Sequence, residues 1–368
     1  MAGAARPVVV KVGTTTLCGP GGRPQPARLA AVAAGLAALC RAGRPVVLVT
    51  SGAIATGAAE IGRPAAGASM AERQAFAAVG QPLLMREYGR HFAAHGLRTA
   101  QVLLTADDLA VRRRYINARN TMAALLRRRI VPIVNENDTV ATEEIRIGDN
   151  DTLSAQVAIL VGAELLIILS DVDGLYTTDP HRDRTARRIP EVHMIAPEVE
   201  RLARRSLSRL GTGGMQTKIA AARAATAAGC TVVITDGRRP RVLERIAAGE
   251  RLGTWFLPAA RAVSGRKRWL VAGGRVRGRL FIDEGAARAL REGGRSLLPS
   301  GVRAVEGAFG AGDLVAVVDP DGREVGRGIA AHDRRTLELM KGHRTSEVAH
   351  LAAGRAEVIH RDNLVLSS

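Results

Sequence analysis

The sequence predicts an α/β chain in which a three-layer domain on a parallel sheet precedes a small, mostly β domain. Two observations carry this. Apolar, β-branched runs alternate with Ala/Leu/Arg-rich stretches of helical length through the first 256 residues, and strands so apolar are buried on both faces, as in a parallel sheet covered by helices. Past residue 257 the texture changes to short strands separated by Gly and Asp turns, the pattern of hairpins.

Strands are expected at Val8–Val12, Pro45–Val49, Thr99–Leu104, Ile130–Val134, Leu165–Leu169 and Thr231–Ile234. Helices are expected between them at Pro26–Arg41, Met70–Ala94, Asn117–Arg128, Asn150–Val161 and Gly214–Ala228. Pro26 suits a first helical turn, and Gly43, Gly162 and Gly229 suit helix ends. The second domain should hold strands at Trp269–Val271, Leu280–Ile282, Ala304–Val305, Leu314–Val318 and Val325–Ile329, with one helix at Glu284–Glu292. The implied boundaries are a first domain over residues 1–257, a linker over 258–266, a second domain over 267–357 and a tail over 358–368.

Composition narrows the function. Of 368 residues 46% are hydrophobic, enough for a sizeable core and against wholesale disorder. The longest nearly apolar run, Val157–Leu169, is interrupted by Glu164 and too short to span a bilayer. No secretory signal is legible, and three cysteines without paired spacing fit a reducing compartment, so a cytoplasmic protein is expected. The formal charge of +18 raises nucleic acid as a partner. Against RNA stand a basic excess of about the same density in both domains and only 3% aromatics, which leaves few stacking platforms. Only four of the cations are lysines: Lys11, Lys218, Lys267 and Lys341. A lysine inside a motif is therefore informative, because Lys and Arg differ as phosphate ligands.

In a parallel sheet, ligands gather beyond the carboxyl ends of the strands, and four polar clusters fall there. Lys11-Val12-Gly13-Thr14-Thr15-Thr16 offers an ammonium and backbone N–H groups to an anion, although a strand-end lysine at the surface would read the same. In Thr50-Ser51-Gly52-Ala53, Ser51 is expected to open a helix, and Gly52 permits close backbone approach. Asn135-Glu136-Asn137-Asp138 and Gly148-Asp149-Asn150-Asp151 place more amides and carboxylates on one loop than a turn requires. Such a mixture suits an amino acid, whose ammonium needs acceptors while its carboxylate needs donors. Gly211-Thr212-Gly213-Gly214-Met215-Gln216-Thr217-Lys218 could cradle phosphate at a helix start, and matches neither a Walker A nor a dinucleotide fingerprint. Two lysines from distant segments with acidic organisers between them suit phosphoryl transfer. His91 and His95 lack a third ligand, no protein-bound metal is expected, and no cysteine has the surroundings of a nucleophile.

The segments VVVKVGTTTL, VTSGAIATG, AAVGQ, QVLLT, NARNT, PIVNENDTVAT, GDNDTLSA, SDVDGLYTTDP and GTGGMQTK, in this order, resemble the glutamate 5-kinases of the amino-acid kinase family. FIDEGA, SLLPSGV and the late HRDN resemble the PUA domain that bacterial members carry. Ser170 stands where Thr is common and Arg146 where Lys is common, both mild departures. The resemblance implies an amino-acid kinase domain that uses ATP and Mg²⁺ to phosphorylate the side-chain carboxylate of L-glutamate, the first step of proline biosynthesis, with proline as inhibitor. It implies Lys11 and Lys218 as phosphate-stabilising lysines and Asp151 as the aspartate that holds both. Glutamate would be held by Ser51, Asn135, Asp138, Asp149 and Asn150. ATP would lie against Lys11, Ser170, Asp171 and the loop Thr212, Gly213, Gly214, Met215, Gln216, Thr217, Lys218. The family precedent is a homo-oligomer, dimer or tetramer, with glutamyl-5-phosphate reductase downstream. Sibling kinases acting on N-acetylglutamate, aspartate, carbamate or uridylate are the nearest rivals.

Overall fold

A computed structural model describes residues 5–19, 21–141, 150–180, 183, 185–205, 214–258, 276–348, 350–351 and 356–366. The chain divides into two compact units, residues 1–109 with 113–262, and 110–112 with 263–368.

The first unit runs β1 (Val8–Val12), α1 (Thr14–Leu17), α2 (Pro26–Arg41), β2 (Val46–Thr50), α3 (Ala53–Ile61), α4 (Met70–Ala93), β3 (Arg98–Leu104), α5 (Ala106–Ala110), α6 (Arg112–Arg127), β4 (Ile130–Glu136), α7 (Asn150–Val161), β5 (Leu165–Ser170), β6 (Glu191–Val192), α8 (Pro197–Arg205), α9 (Met215–Ala227), β7 (Thr231–Asp236), α10 (Val242–Ala247) and β8 (Thr254–Phe256). Its eight strands form one sheet in the order β3-β4-β2-β1-β5-β7-β8-β6. All pairs are parallel except β7 with β8, which run antiparallel. Every residue of β1, β2 and β5 is buried, as a central strand covered on both faces requires.

The register aligns the strand ends that carry chemistry. Val12 lies opposite Thr50 and Leu169, and Ser170 lies opposite Asp236. Two differences from the sequence reading, and one close helix contact, bear on the site. Asn135 and Glu136 close β4 rather than opening the loop after it. Helix α3 starts where Gly52 adopts φ 107°, a left-handed conformation that suits glycine. Helices α3 and α4 touch through Gly57 and Gly80. A Cβ on Gly80 would lie 1.9 Å from the Ala53 carbonyl oxygen, and one on Gly57 would lie 1.8 Å from that of Phe76. Helix α4 itself opens with a capping box between Ser69 and Glu72.

The second unit is a five-stranded sheet, β10-β9-β11-β12-β13, built from β9 (Gly278–Ile282), β10 (Val302–Gly307), β11 (Leu314–Val318), β12 (Glu324–Ile329) and β13 (Leu364–Leu366), with helices at Glu284–Gly293 and Arg334–Met340. The residues 364–366 expected in a tail instead pair with β12. The expected strand Trp269–Val271 lies outside the described residues.

Candidate active site

Asp151 is the centre of the site. It stands in the first turn of α7, is fully buried, and faces two ammonium groups. Lys11, from the middle of the sheet, lies 2.6 Å from Oδ1, and Lys218, in the first turn of α9, donates to Oδ2 over 2.9 Å. The lysines are 5% and 6% exposed. Burial pushes the Asp151 carboxyl up, but the two ammonium charges override it and hold the group below the usual carboxylate range. Thr217 Oγ1 adds a contact to the same carboxylate at 3.1 Å and lies 2.7 Å from the Gly214 carbonyl oxygen. Ser154 Oγ donates to the Asp151 carbonyl, tying the residue into its own helix turn.

One carboxylate thus faces two cations. At Gly13 an added Cβ would stand 3.5 Å from Lys11 Nζ, in van der Waals contact with the ammonium. Two pre-placed cations in a water-poor site would hold an entering phosphate with little reorganisation.

Beside this pair lies an amide chain. Asn150 Nδ2 donates to Ser51 Oγ (2.7 Å) and to Asn135 Oδ1 (3.2 Å), and Asn135 Nδ2 donates to Gln81 Oε1 (2.9 Å). Two atoms of this chain, Asn150 Oδ1 and Gln81 Nε2, are buried with no hydrogen-bond partner among the described residues. One accepts and the other donates, so the pair matches in kind the ammonium and the carboxylate of an amino acid. Tyr88, fully buried in α4, shares a 2.8 Å hydrogen bond with Thr50, the residue before Ser51. Two residues past the end of β4, burial raises the Asp138 carboxyl to a pKa of about 6, moderated by the Arg73 guanidinium.

The β5–β7 edge carries the remaining described candidates. Ser170 Oγ donates to Asp171 Oδ1 (3.2 Å), and the Asp171 carbonyl accepts from Arg238 Nη2 (2.7 Å). Arg238 also grips Asp236 through both carboxylate oxygens. The structure therefore brings together Lys11, Asp151, Thr217 and Lys218, and separately Ser51, Asn135 and Asn150. Gly214, Met215 and Gln216 sit at the start of α9. Asp149, Thr212 and Gly213 lie outside the described residues. Gln81, Tyr88 and Arg238 escaped the sequence reading. Gln81 ends the AAVGQ segment, where a glutamine amid apolar helix positions was the available signal.

Residues 6–236 match the pattern of the amino acid kinase family, and residues 278–352 match that of the PUA domain. The chain belongs to the amino acid kinase family. Among the relatives of this kinase, the glutamate 5-kinase of Moorella thermoacetica (strain ATCC 39073 / JCM 9320) is 48% identical over 98% of this chain and 96% of its own length. That of Rhodopseudomonas palustris (strain TIE-1) is 48% identical over 99% and 97%. A carbamate kinase from Giardia lamblia bound to AMP-PNP superposes with a TM-score of 0.51 at 17% identity, covering 69% of this chain and 99% of its own, a likeness of fold alone.

Proposed function

We propose that this kinase transfers the γ-phosphoryl group of ATP to the side-chain carboxylate of L-glutamate, giving ADP and L-glutamyl 5-phosphate, the first step of proline biosynthesis. The observation that carries the proposal is the buried Lys11–Asp151–Lys218 group beside an amide chain with one open donor and one open acceptor. The identity to glutamate 5-kinases over nearly the whole chain selects glutamate among the family's substrates.

The glutamate side chain is already ionised at neutral pH and needs no general base. One of its oxygens attacks the γ-phosphorus in line, the new O–P bond forms, and the bond to the bridging oxygen of ADP breaks. Lys11 and Lys218 neutralise charge on the travelling group, and Asp151 keeps both ammoniums in place. Catalysis comes from positioning and charge compensation. Ser51, Asn135 and Asn150 hold the amino-acid end of glutamate, with Asp138 and Asp149 as acceptors for its ammonium. Gln81 sets the Asn135 amide. ATP lies against Ser170, Asp171 and the loop 212–218. Both oxygens of Asp151 face lysines, and no group of three His, Cys, Asp or Glu side chains among the described residues could hold a metal. Mg²⁺ therefore fits here as a ligand of the nucleotide's own phosphates, where it would shield their charge.

Proline shares the α-ammonium and α-carboxylate of glutamate, so it would compete for the same amides. On the family precedent the chain works in the cytoplasm as a dimer or tetramer and hands its labile acyl phosphate to glutamyl-5-phosphate reductase. No helix among the described residues is long and apolar enough to cross a membrane. The test is glutamate-dependent ADP release, with hydroxylamine trapping of the acyl phosphate and with added proline. Turnover on N-acetylglutamate, aspartate, carbamate or uridylate but not on glutamate would overturn the reading.

A further inference from the structure

At the opposite, amino-terminal end of the sheet lies a cavity of about 460 Å³, within the range of small-molecule sites. Four arginines line it, Arg41, Arg44, Arg127 and Arg129, together with His95 and no carboxylate. The rest of the wall is largely apolar and includes Leu97, Leu126 and Val131. Arg44 is paired with Glu164, while Arg41, Arg127 and Arg129 have no acidic partner among the described residues.

Arginine at a helix end has an ordinary explanation, and three helices, α2, α4 and α6, end here. Each C-terminus carries about −0.5 charge, so all three offset about 1.5 of the four positive charges and Glu164 offsets one more. About 1.5 positive charges remain, concentrated on a concave surface. Helix termini explain single arginines on a flat surface; they do not explain why the unpaired ones surround a hollow.

Arg129 adds an independent sign. Its φ is 56°, one of two positive values among the described non-glycine residues. Glycine or asparagine ordinarily holds such a position after a helix, and a larger side chain there costs about 1 kcal/mol. Strain of this kind tends to mark sites where the side chain has a task.

We propose that this cavity binds a small organic anion, a phosphate or carboxylate of nucleotide size or less, with its apolar part against Leu97, Leu126 and Val131 and its charge among Arg41, Arg127 and Arg129. The site is separate from the catalytic one. It lies at the start of β2 and β4, whereas Ser51 follows the end of β2 and Asn135 lies near the end of β4.

The experiment is a calorimetric titration of the full chain with phenyl phosphate, while saturating AMP-PNP and glutamate occupy the catalytic site. One equivalent should bind, phenol should not, and R127Q/R129Q should weaken binding about 10- to 100-fold, tenfold for each 1.4 kcal/mol lost. R129G should weaken binding while leaving the melting temperature unchanged or raised, because glycine accepts the left-handed backbone. The proposal is overturned if phenyl phosphate fails to bind with the catalytic site filled, if phenol binds equally well, or if R127Q/R129Q binds like the parent chain. A fall in melting temperature for R129G with unchanged binding would also overturn it, leaving the arginine a purely structural part.

Discussion

Replacing Asp151 with asparagine tests the centre of the site most directly. The substitution keeps the volume and removes the carboxylate charge that faces two buried ammoniums, at 2.6 and 2.9 Å. Uncompensated buried charge costs about 3–5 kcal/mol when one partner of an ion pair is removed. At about 2–4 °C per kcal/mol for a domain of this size, Asp151→Asn should melt about 6–20 °C below the parent chain. A nucleotide's phosphates can replace the lost carboxylate as counter-charge. The variant should therefore gain more melting temperature from AMP-PNP with Mg²⁺ than the parent does. Its kcat should still fall about 100-fold or more, because the ammoniums lose the group that aims them. Differential scanning fluorimetry with and without nucleotide, together with the hydroxamate assay, measures all three quantities. A variant that melts within about 2 °C of the parent and turns over at a similar rate would refute the reasoning.

Other outcomes follow from the same geometry. Lys218→Ala and Lys11→Ala should lower kcat far more than they raise the glutamate KM, in steady-state assays; near-normal turnover would remove their assigned roles. The Asp138 carboxyl, with its pKa of about 6 raised by burial, is neutral below that pH and cannot pair with an ammonium. The glutamate KM should therefore rise about tenfold from pH 7 to pH 5, and Asp138→Asn should raise KM at pH 7 and abolish this slope. Gly80→Ala would drive a methyl to within 1.9 Å of the Ala53 carbonyl oxygen, so it should cost about 1–3 kcal/mol in chemical denaturation and raise the glutamate KM through the neighbouring Gln81. Tyr88→Phe leaves the buried Thr50 hydroxyl without the phenol; unfolding should become about 1–3 kcal/mol easier, with kcat little changed.

What the sequence made legible follows from how each signal arises. Strands β1, β2, β4, β5 and β7 stand out because both faces are buried and polar residues are excluded until the strand ends. For the same reason the polar ends Lys11, Ser51 and Asn135 could be read as candidate site residues before any geometry. Two-residue β6 and three-residue β8 are too short for periodicity to register, and the reversed direction of β8 depends on tertiary packing. Helix α6 begins at Arg112, five residues earlier than expected, since three consecutive arginines at its start hide the apolar stripe. Gln81 and Tyr88 sit on an otherwise apolar face of α4, and their hydrogen bonds run to strands far along the chain. Arg238, in a chain that writes most cations as arginine, is invisible until it meets Asp171 and Asp236.

The bond from residue 11 through residue 151 to residue 218 also orders events during synthesis. The first lysine leaves the ribosome early in a strand destined for the middle of the sheet, and it has no counter-ion until α7 follows. A carboxylate arriving then can satisfy one ammonium, and the trio closes only after α9 has emerged. Growing chains from which α9, ending at Ala227, has not yet emerged should thus lack this trio and stay more open to proteases and chaperones than the finished chain.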